Sequence, residues 1–299
     1  MNENEICPVC QGTFFDTVIH CNDHAVSHET FSLKQCASCK FLLTYPRPPA
    51  ADVPRYYDSP AYISHVGRAT TLLDLAYQAV RGFTLKWKLS LIKKKLPHDG
   101  EKSILDYGCG TGEFLRIAKL GGWKITGIEP SSSARKNASK NISANIKASI
   151  DDIEGIQPQF NIITLWHVLE HVENLNETIE RLKGMLTTNG AIFVAVPNHR
   201  SWDSSHYKEF WAGYDVPRHL WHFDKKSIAL IANNHGLKIA EIIPMRLDAF
   251  YICILSERYM SPNTSSIGRL FKAITNGLQS SINASQTTEH SSLIYVLTK

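Results

Sequence analysis

The chain has 299 residues, 43% of them apolar, with seven cysteines and a formal net charge of +4. This length supports one large or two smaller hydrophobic cores; so weak a positive charge argues against a nucleic-acid partner, and no run approaches the ~20 apolar residues of a membrane span. The polar N-terminus lacks the apolar run of a signal peptide, which predicts a cytoplasmic protein.

Residues 1–45 hold Cys7-Pro8-Val9-Cys10 and Cys36-Ala37-Ser38-Cys39. A two-residue spacer lets both thiolates of a pair grip one ion, and two pairs complete the tetrahedral set that Zn²⁺ prefers. Short apolar runs between the pairs read as strands. The segment is therefore expected to be a zinc-ribbon-like domain with structural Zn²⁺ on Cys7, Cys10, Cys36 and Cys39. Such pairs suit a reducing compartment rather than a secreted disulfide frame. A rival ligand set, Cys7, Cys10, Cys21 and His24, leaves the second pair unused.

Residues 46–99 form an aromatic linker and helical lead-in. Pro46-Arg47-Pro48-Pro49 is a stiff spacer, Tyr57 and Tyr62 lie in a turn-rich stretch, and residues 66–96 carry apolar side chains at helical spacing. Basic residues of that helix, among them Arg68, Arg81, Lys86, Lys88 and Lys93 to Lys95, stand against one acid, Asp74. They read as a solvated face, or as contact with an anionic surface or an acidic substrate carrier.

From residue 100 to 299 short buried strands alternate with helices, which predicts an α/β fold: a parallel sheet with helices on both faces. Strands are expected at 104–106, 123–128, 145–148, 160–166, 191–196, 237–244 and 291–297. Helices are expected at 113–120, 131–141, 175–186 and 227–234, with Ser131 suited to an N-cap. Residues 199–224 read as irregular, aromatic and histidine-rich. A helical insertion near 248–285 precedes the last strand. Its second helix sets Leu270, Phe271, Ile274 and Leu278 on one face and can serve as a lid, a dimer helix or a membrane-surface helix. The polar run 283–292 is expected to be mobile.

The chemistry concentrates after the first of these strands, at Asp106-Tyr107-Gly108-Cys109-Gly110-Thr111-Gly112. Alternating glycines allow a tight turn, positive φ and close approach of a ligand to the backbone, and the turn opens onto a helix N-terminus. A dinucleotide turn would space its glycines G-x-G-x-x-G; here the third comes one residue early, and Asp106 would repel a pyrophosphate. Glu129, ending the next strand, can take both hydroxyls of a ribose. A ligand with a ribose, a cationic end and no phosphate fits S-adenosylmethionine (SAM).

Together these residues resemble the glycine-rich motif and following acid of the Rossmann-like SAM-dependent methyltransferases. The resemblance implies a Rossmann-like seven-stranded methyltransferase sheet, with SAM held at Asp106, Gly108, Cys109, Gly110 and Glu129. Asp151, near the end of the third strand, is expected to reach the adenine. Leu165-Trp166-His167-Val168-Leu169-Glu170-His171 resembles the post-strand-four motif of small-molecule methyltransferases of the ubiquinone-biosynthesis O-methyltransferase type. It implies that Trp166 and His167 border the cofactor and that Glu170 and His171 face the acceptor, as base or metal ligands. Asn/Asp-Pro-Pro-aromatic, which base-modifying N-methyltransferases often carry here, is absent. Tyr57 and Tyr62 are similar in place to the aromatic segment that closes over the cofactor in zinc-containing sugar C-methyltransferases, although the long C-terminal domain of those enzymes is missing.

Asp215-Val216-Pro217-Arg218-His219, with Phe223 beyond, resembles a stretch of bacterial methyltransferases that also carry an N-terminal cysteine ribbon. It falls after strand five, where substrate loops belong. Arg218 is expected to clamp a carboxylate or phosphate, and His219 or His222 to act as a general base. Packing of these side chains into an aromatic corner is the competing reading.

The resulting expectation is a SAM-dependent methyltransferase acting at an oxygen or carbon of a small or carrier-linked acceptor, with peripheral membrane contact open and oligomeric state unassigned. Catalytic candidates are His167, Glu170, His171, Arg218, His219 and His222. One alternative is an RNA methyltransferase whose ribbon grips RNA, since ribosomal guanine methyltransferases join a zinc finger to a similar core. Another is a non-enzymatic SAM-binding adaptor.

Overall fold

The computed structural model describes residues 5–49, 51–57, 72–95, 102–153, 157 and 159–299. Two sheets organise them. The smaller is antiparallel: β1 (Phe15–Asn22), β2 (Thr30–Cys36), β3 (Leu42–Tyr45) and a two-residue strand far along the chain, Trp221–His222. Leu42 pairs with His222 and Leu43 with Trp221, so the N-terminal ribbon is completed by the segment read as a substrate loop.

The larger sheet has six strands in the order Lys124–Ile128, Ser103–Tyr107, Phe160–Trp166, Leu186–Pro197, Ser292–Thr298, Lys238–Pro244. The first four run parallel, and Ser292–Thr298 inserts antiparallel to both of its neighbours. Central strands buried on both faces need apolar residues throughout, as Phe160–Trp166 supplies. The place expected for a seventh strand is held by a single parallel bridge between Ile128 and Lys147.

Side chains alternate across this sheet. Ile104, Ile162 and Phe193 enter one core with Leu89, Leu115 and Ala138 of the helices Leu72–Lys93, Glu113–Leu120 and Ser132–Ile142. Leu105, Ile163 and Val194 enter the other with Ile179 and Ile228 of Leu175–Met185 and Lys225–Asn234. The ribbon joins this second core through Cys7, Val9, Phe41 and Leu43. Ser131 caps its helix by accepting from Ala134 N–H at 3.4 Å.

Two expectations are corrected. The strand expected at 191–196 begins at Leu186, the last residue of the helix expected at 175–186, and runs through Asn189-Gly190. The added residues bring a register shift opposite Phe160 to Ile162; a Cβ on Gly190 would lie 2.8 Å from the Asn161 carbonyl oxygen. Residues 283–287 are helical rather than mobile, because the helix Ser266–Thr287 continues through them and buries Ala284.

Candidate active site and zinc knuckles

The two cysteine pairs fold as matching knuckles. Gln11 N–H donates to Cys7 O and Lys40 N–H to Cys36 O at 2.9 and 3.0 Å, while Cys7 N–H donates to Gly12 O and Cys36 N–H to Phe41 O, both at 2.9 Å. Gln11 and Lys40 both take positive φ, 62° and 65°. All four sulfurs lie within 4.8 Å of one another, which fits one Zn²⁺ held by thiolates. Burial opposes ionisation of Cys36, but hydrogen bonds from the backbone of Cys39 and Ser38 bring its thiol down to about 7. Cys21 of the rival set instead packs in a separate core with Phe31, Leu33 and Tyr56. Cys36→Ser is expected to weaken zinc binding at least ~100-fold, because a hydroxyl is a poor ligand for this ion. Metal analysis after dialysis against a chelator would show the loss; one full equivalent retained would contradict it.

The glycine turn lies beyond the carboxyl end of Ser103–Tyr107. Gly108, Gly110 and Gly112 take φ of 73°, 54° and 76°, a region that costs any other residue strain. A Cβ on Gly108 would meet Val168 at 2.6 Å, whereas one on Gly110 would meet nothing within 4 Å. The Glu129 carboxylate spans the turn: Gly110 N–H donates to Oε2 and Ser131 N–H to Oε1, both at 2.9 Å. Cys109 N–H donates to Ile128 O at 2.9 Å.

Asp106 lies buried beneath this turn and accepts from Thr164 Oγ1 at 2.6 Å. Burial pushes its carboxyl up to about 7; a cationic ligand would favour ionisation. Trp166 sits against Phe114, ring centroids 5.4 Å apart, with Lys88 Nζ 4.3 Å from its ring centroid. Asp151 follows the Lys147 bridge, its side chain 73% exposed and paired with Arg181 at 2.6 Å. Tyr62 lies outside the described residues.

Beside the turn, the Phe160–Trp166 strand ends in a sharp reversal with His167 at φ 57°. His167 Nε2 meets Asp248 Oδ2 at 3.1 Å, and its Nδ1 meets Glu170 Oε1 at 3.4 Å. Burial opposes protonation, but the two carboxylates raise His167 to about 9. Glu170 is 0% exposed; His167 pairs with its Oε1, and its Oε2 has no hydrogen-bond partner among the described residues. Oε2 is thus the oxygen left for a hydroxyl proton or a cation.

His171 is the opposite case. Burial, reinforced by His219, lowers it to about 4, so it is neutral at pH 7. Its Nδ1 lies 3.0 Å from Arg218 O and 3.1 Å from Tyr57 Oη. A carbonyl only accepts, so Nδ1 carries the proton and Nε2 keeps its lone pair. His219 Nδ1 likewise lies 2.9 Å from Gly213 O. The two rings meet edge-on with centroids 4.6 Å apart, and Glu170, His171 and His219 each place a ligand atom within 4.8 Å of the others. Two imidazoles and a carboxylate can share a proton or hold a divalent ion.

Arg218 and His222 are placed elsewhere. Arg218 is buried against the ribbon, where it donates to Asp23 (2.8 Å), Asp215 (2.7 Å) and the Tyr56 carbonyl (2.9 Å). His222 Nε2 bonds Thr44 Oγ1 at 2.9 Å, and burial lowers it well below the usual histidine value. Through these contacts the two side chains latch the 215–222 segment onto the ribbon. Sequence reasoning missed Asp248, which carries no local signal, and Asp23, whose Arg218 partner is distant in the chain. Asp215 stood inside the quoted motif.

Residues 83–242 match the model of a methyltransferase-domain family. Over 122 residues the chain is 30% identical to the ubiquinone biosynthesis O-methyltransferase of Actinobacillus pleuropneumoniae, covering 37% of this chain and 52% of that protein. Over 110 residues it is 32% identical to the protein of that name from Bradyrhizobium diazoefficiens, covering 35% and 43%. The chain thus spans about half the length of the curated relatives it matches. Among solved structures, phosphoethanolamine N-methyltransferase 2 of Haemonchus contortus, in complex with S-adenosyl-L-methionine, superposes with a TM-score of 0.50 at 16% identity, over 72% of this chain and 52% of that one. At that identity the likeness is one of fold.

Proposed function

The chain belongs to the methyltransferase-domain family of SAM-dependent enzymes, and on that premise we propose that it methylates an oxygen of a small or carrier-linked acceptor, with carbon as the second choice. The observation that carries this reading is neutral His171 paired with His219 against buried Glu170, set beside the glycine turn and Glu129 at the same end of the sheet. An oxygen acceptor must lose its proton as it attacks; a sulfonium methyl needs no further activation. The curated relatives are named as O-methyltransferases, which supports the choice of oxygen.

Glu129 would exchange its two backbone donors for the ribose hydroxyls, and Gly110 leaves room for the nucleoside. Asp106, buried below, would favour the ammonium end; Trp166 and Asp151 would flank the cofactor. The acceptor hydroxyl would give its proton to Nε2 of His171 or of His219. Its oxygen takes the methyl, and the carbon–sulfur electron pair stays on sulfur, giving S-adenosylhomocysteine. His167, held cationic between Glu170 and Asp248, would position the Glu170 carboxylate.

Incubation with labelled SAM and a fractionated metabolite pool tests the reading. His171→Ala or His219→Ala is expected to cut turnover by about 10²–10⁴-fold while SAM affinity changes little. If both variants turn over normally, the pair is packing. The RNA reading is less well supported, because the ribbon spends Val9, Phe41 and Leu43 on the second core; salt-dependent RNA binding would revive it. A chain that binds SAM and methylates nothing in the pool would favour the adaptor.

A further inference from the structure

The helical hairpin before the last strand carries more apolar surface than its own fold covers. The helix Ser266–Thr287 buries Ala273, Gly277, Ser280 and Ala284, and the Phe250 ring lies so close to Gly277 that a Cβ there would be 2.7 Å away. About a third of a turn round the helix runs a second stripe: Ile267, Phe271, Ile274, Leu278 and Ile282, between 45% and 83% exposed. Leu247 and Ile254 add to the exposed apolar surface from the neighbouring helix Asp248–Met260 and the residue before it, at 42% and 37% exposed. Single exposed apolar residues are ordinary; a continuous row along one helix marks an interaction face.

Charge selects the partner. From Arg246 to Thr287 the sequence holds four cations, Arg246, Arg258, Arg269 and Lys272, and two acids, Asp248 and Glu257. Both acids are turned inward. Asp248 bonds His167, and Glu257, 0% exposed, accepts from Tyr207 Oη and Asn276 Nδ2. Arg246, Arg258 and Lys272 are exposed, so the outward charge of the hairpin is wholly positive. A second copy on a two-fold axis would set the same cationic face against itself.

We propose that this hairpin docks on an anionic bilayer surface, with the stripe of Ser266–Thr287 entering the headgroup boundary and the flanking cations meeting lipid phosphates. Among the described residues no helix is long and apolar enough to cross a membrane, so the contact is in-plane. At about 1.5 Å per residue the 22 residues of this helix extend about 33 Å along the surface.

The test is flotation of the full chain with vesicles of pure phosphatidylcholine, or with a third of the lipid replaced by phosphatidylglycerol. The chain is expected to float with the anionic vesicles, at least about tenfold less with the neutral ones, and to be released by high salt. Phe271→Ser with Ile274→Ser should lower flotation about tenfold or more, and Arg258→Glu with Lys272→Glu should do the same, with melting temperature and SAM affinity unchanged. Absence of flotation with anionic vesicles overturns the proposal. So does flotation that survives both double variants, or a dimer in sedimentation that Phe271→Ser dissolves while vesicles bind nothing.

Discussion

Gly110→Arg is expected to lower SAM affinity at least ~100-fold, about 2.7 kcal/mol, while the protein stays folded. The position has φ 54° and open space where a Cβ would stand, so the new side chain costs about 1–2 kcal/mol of backbone strain and otherwise projects into the region the nucleoside would take. Gly108 sits in the same turn with the opposite surroundings, since its Cβ would strike Val168 at 2.6 Å. Gly108→Ala should therefore lower the melting temperature, and Gly110→Arg mainly the affinity. Calorimetric titration and thermal melts on the two variants separate these outcomes. Unchanged SAM affinity in Gly110→Arg would remove the turn from the cofactor site.

Arg218→Ala is expected to destabilise the fold by about 3–5 kcal/mol, because it strands the buried Asp23 and the Asp215 carboxylate without their counter-charge. Asp23 also accepts from the backbone of Ala25, Val26 and Ser27, so its site persists while its strongest partner goes. The pH dependence has a definite sign. Burial opposes ionisation of Asp23, but Arg218 and Ser27 bring it down to about 2, against about 3.9 in an unfolded chain. This contribution is fully present above about pH 4 and is lost as pH falls through about 2. The stability gap between wild type and Arg218→Ala, read from denaturant midpoints, should narrow over that interval. A gap that is small at pH 7, or that does not change below pH 4, would show that the latch contributes little.

Much of the fold was legible because local pattern and tertiary role agree. The helix Glu113–Leu120 and the strand Phe160–Trp166 start and stop where sequence reading put them, since each is bounded by glycines, a reversal or a change in periodicity. The glycine turn and Glu129 were legible for the same reason: the residues that make the turn adjoin the strands that carry it. The 215–222 segment was legible as important but not as to its use. Arg218 meets an aspartate 195 residues away, and His222 meets Thr44 across 178; nothing near either residue names such a partner. The two-residue strand Trp221–His222 is too short to carry a period, and it closes a sheet begun at residue 15. Asp248 shows the same limit from the other side, as a helix-starting acid that becomes part of the site only because it meets His167, 81 residues earlier.

The most direct test of the glycine turn and Glu129 as a cradle for a cationic nucleoside is calorimetric titration of the full chain, separately, with S-adenosylmethionine and with nicotinamide adenine dinucleotide. The expected result is one equivalent of S-adenosylmethionine bound, and no heat from the dinucleotide at the same concentration. Saturable binding of the dinucleotide with none of S-adenosylmethionine would contradict it.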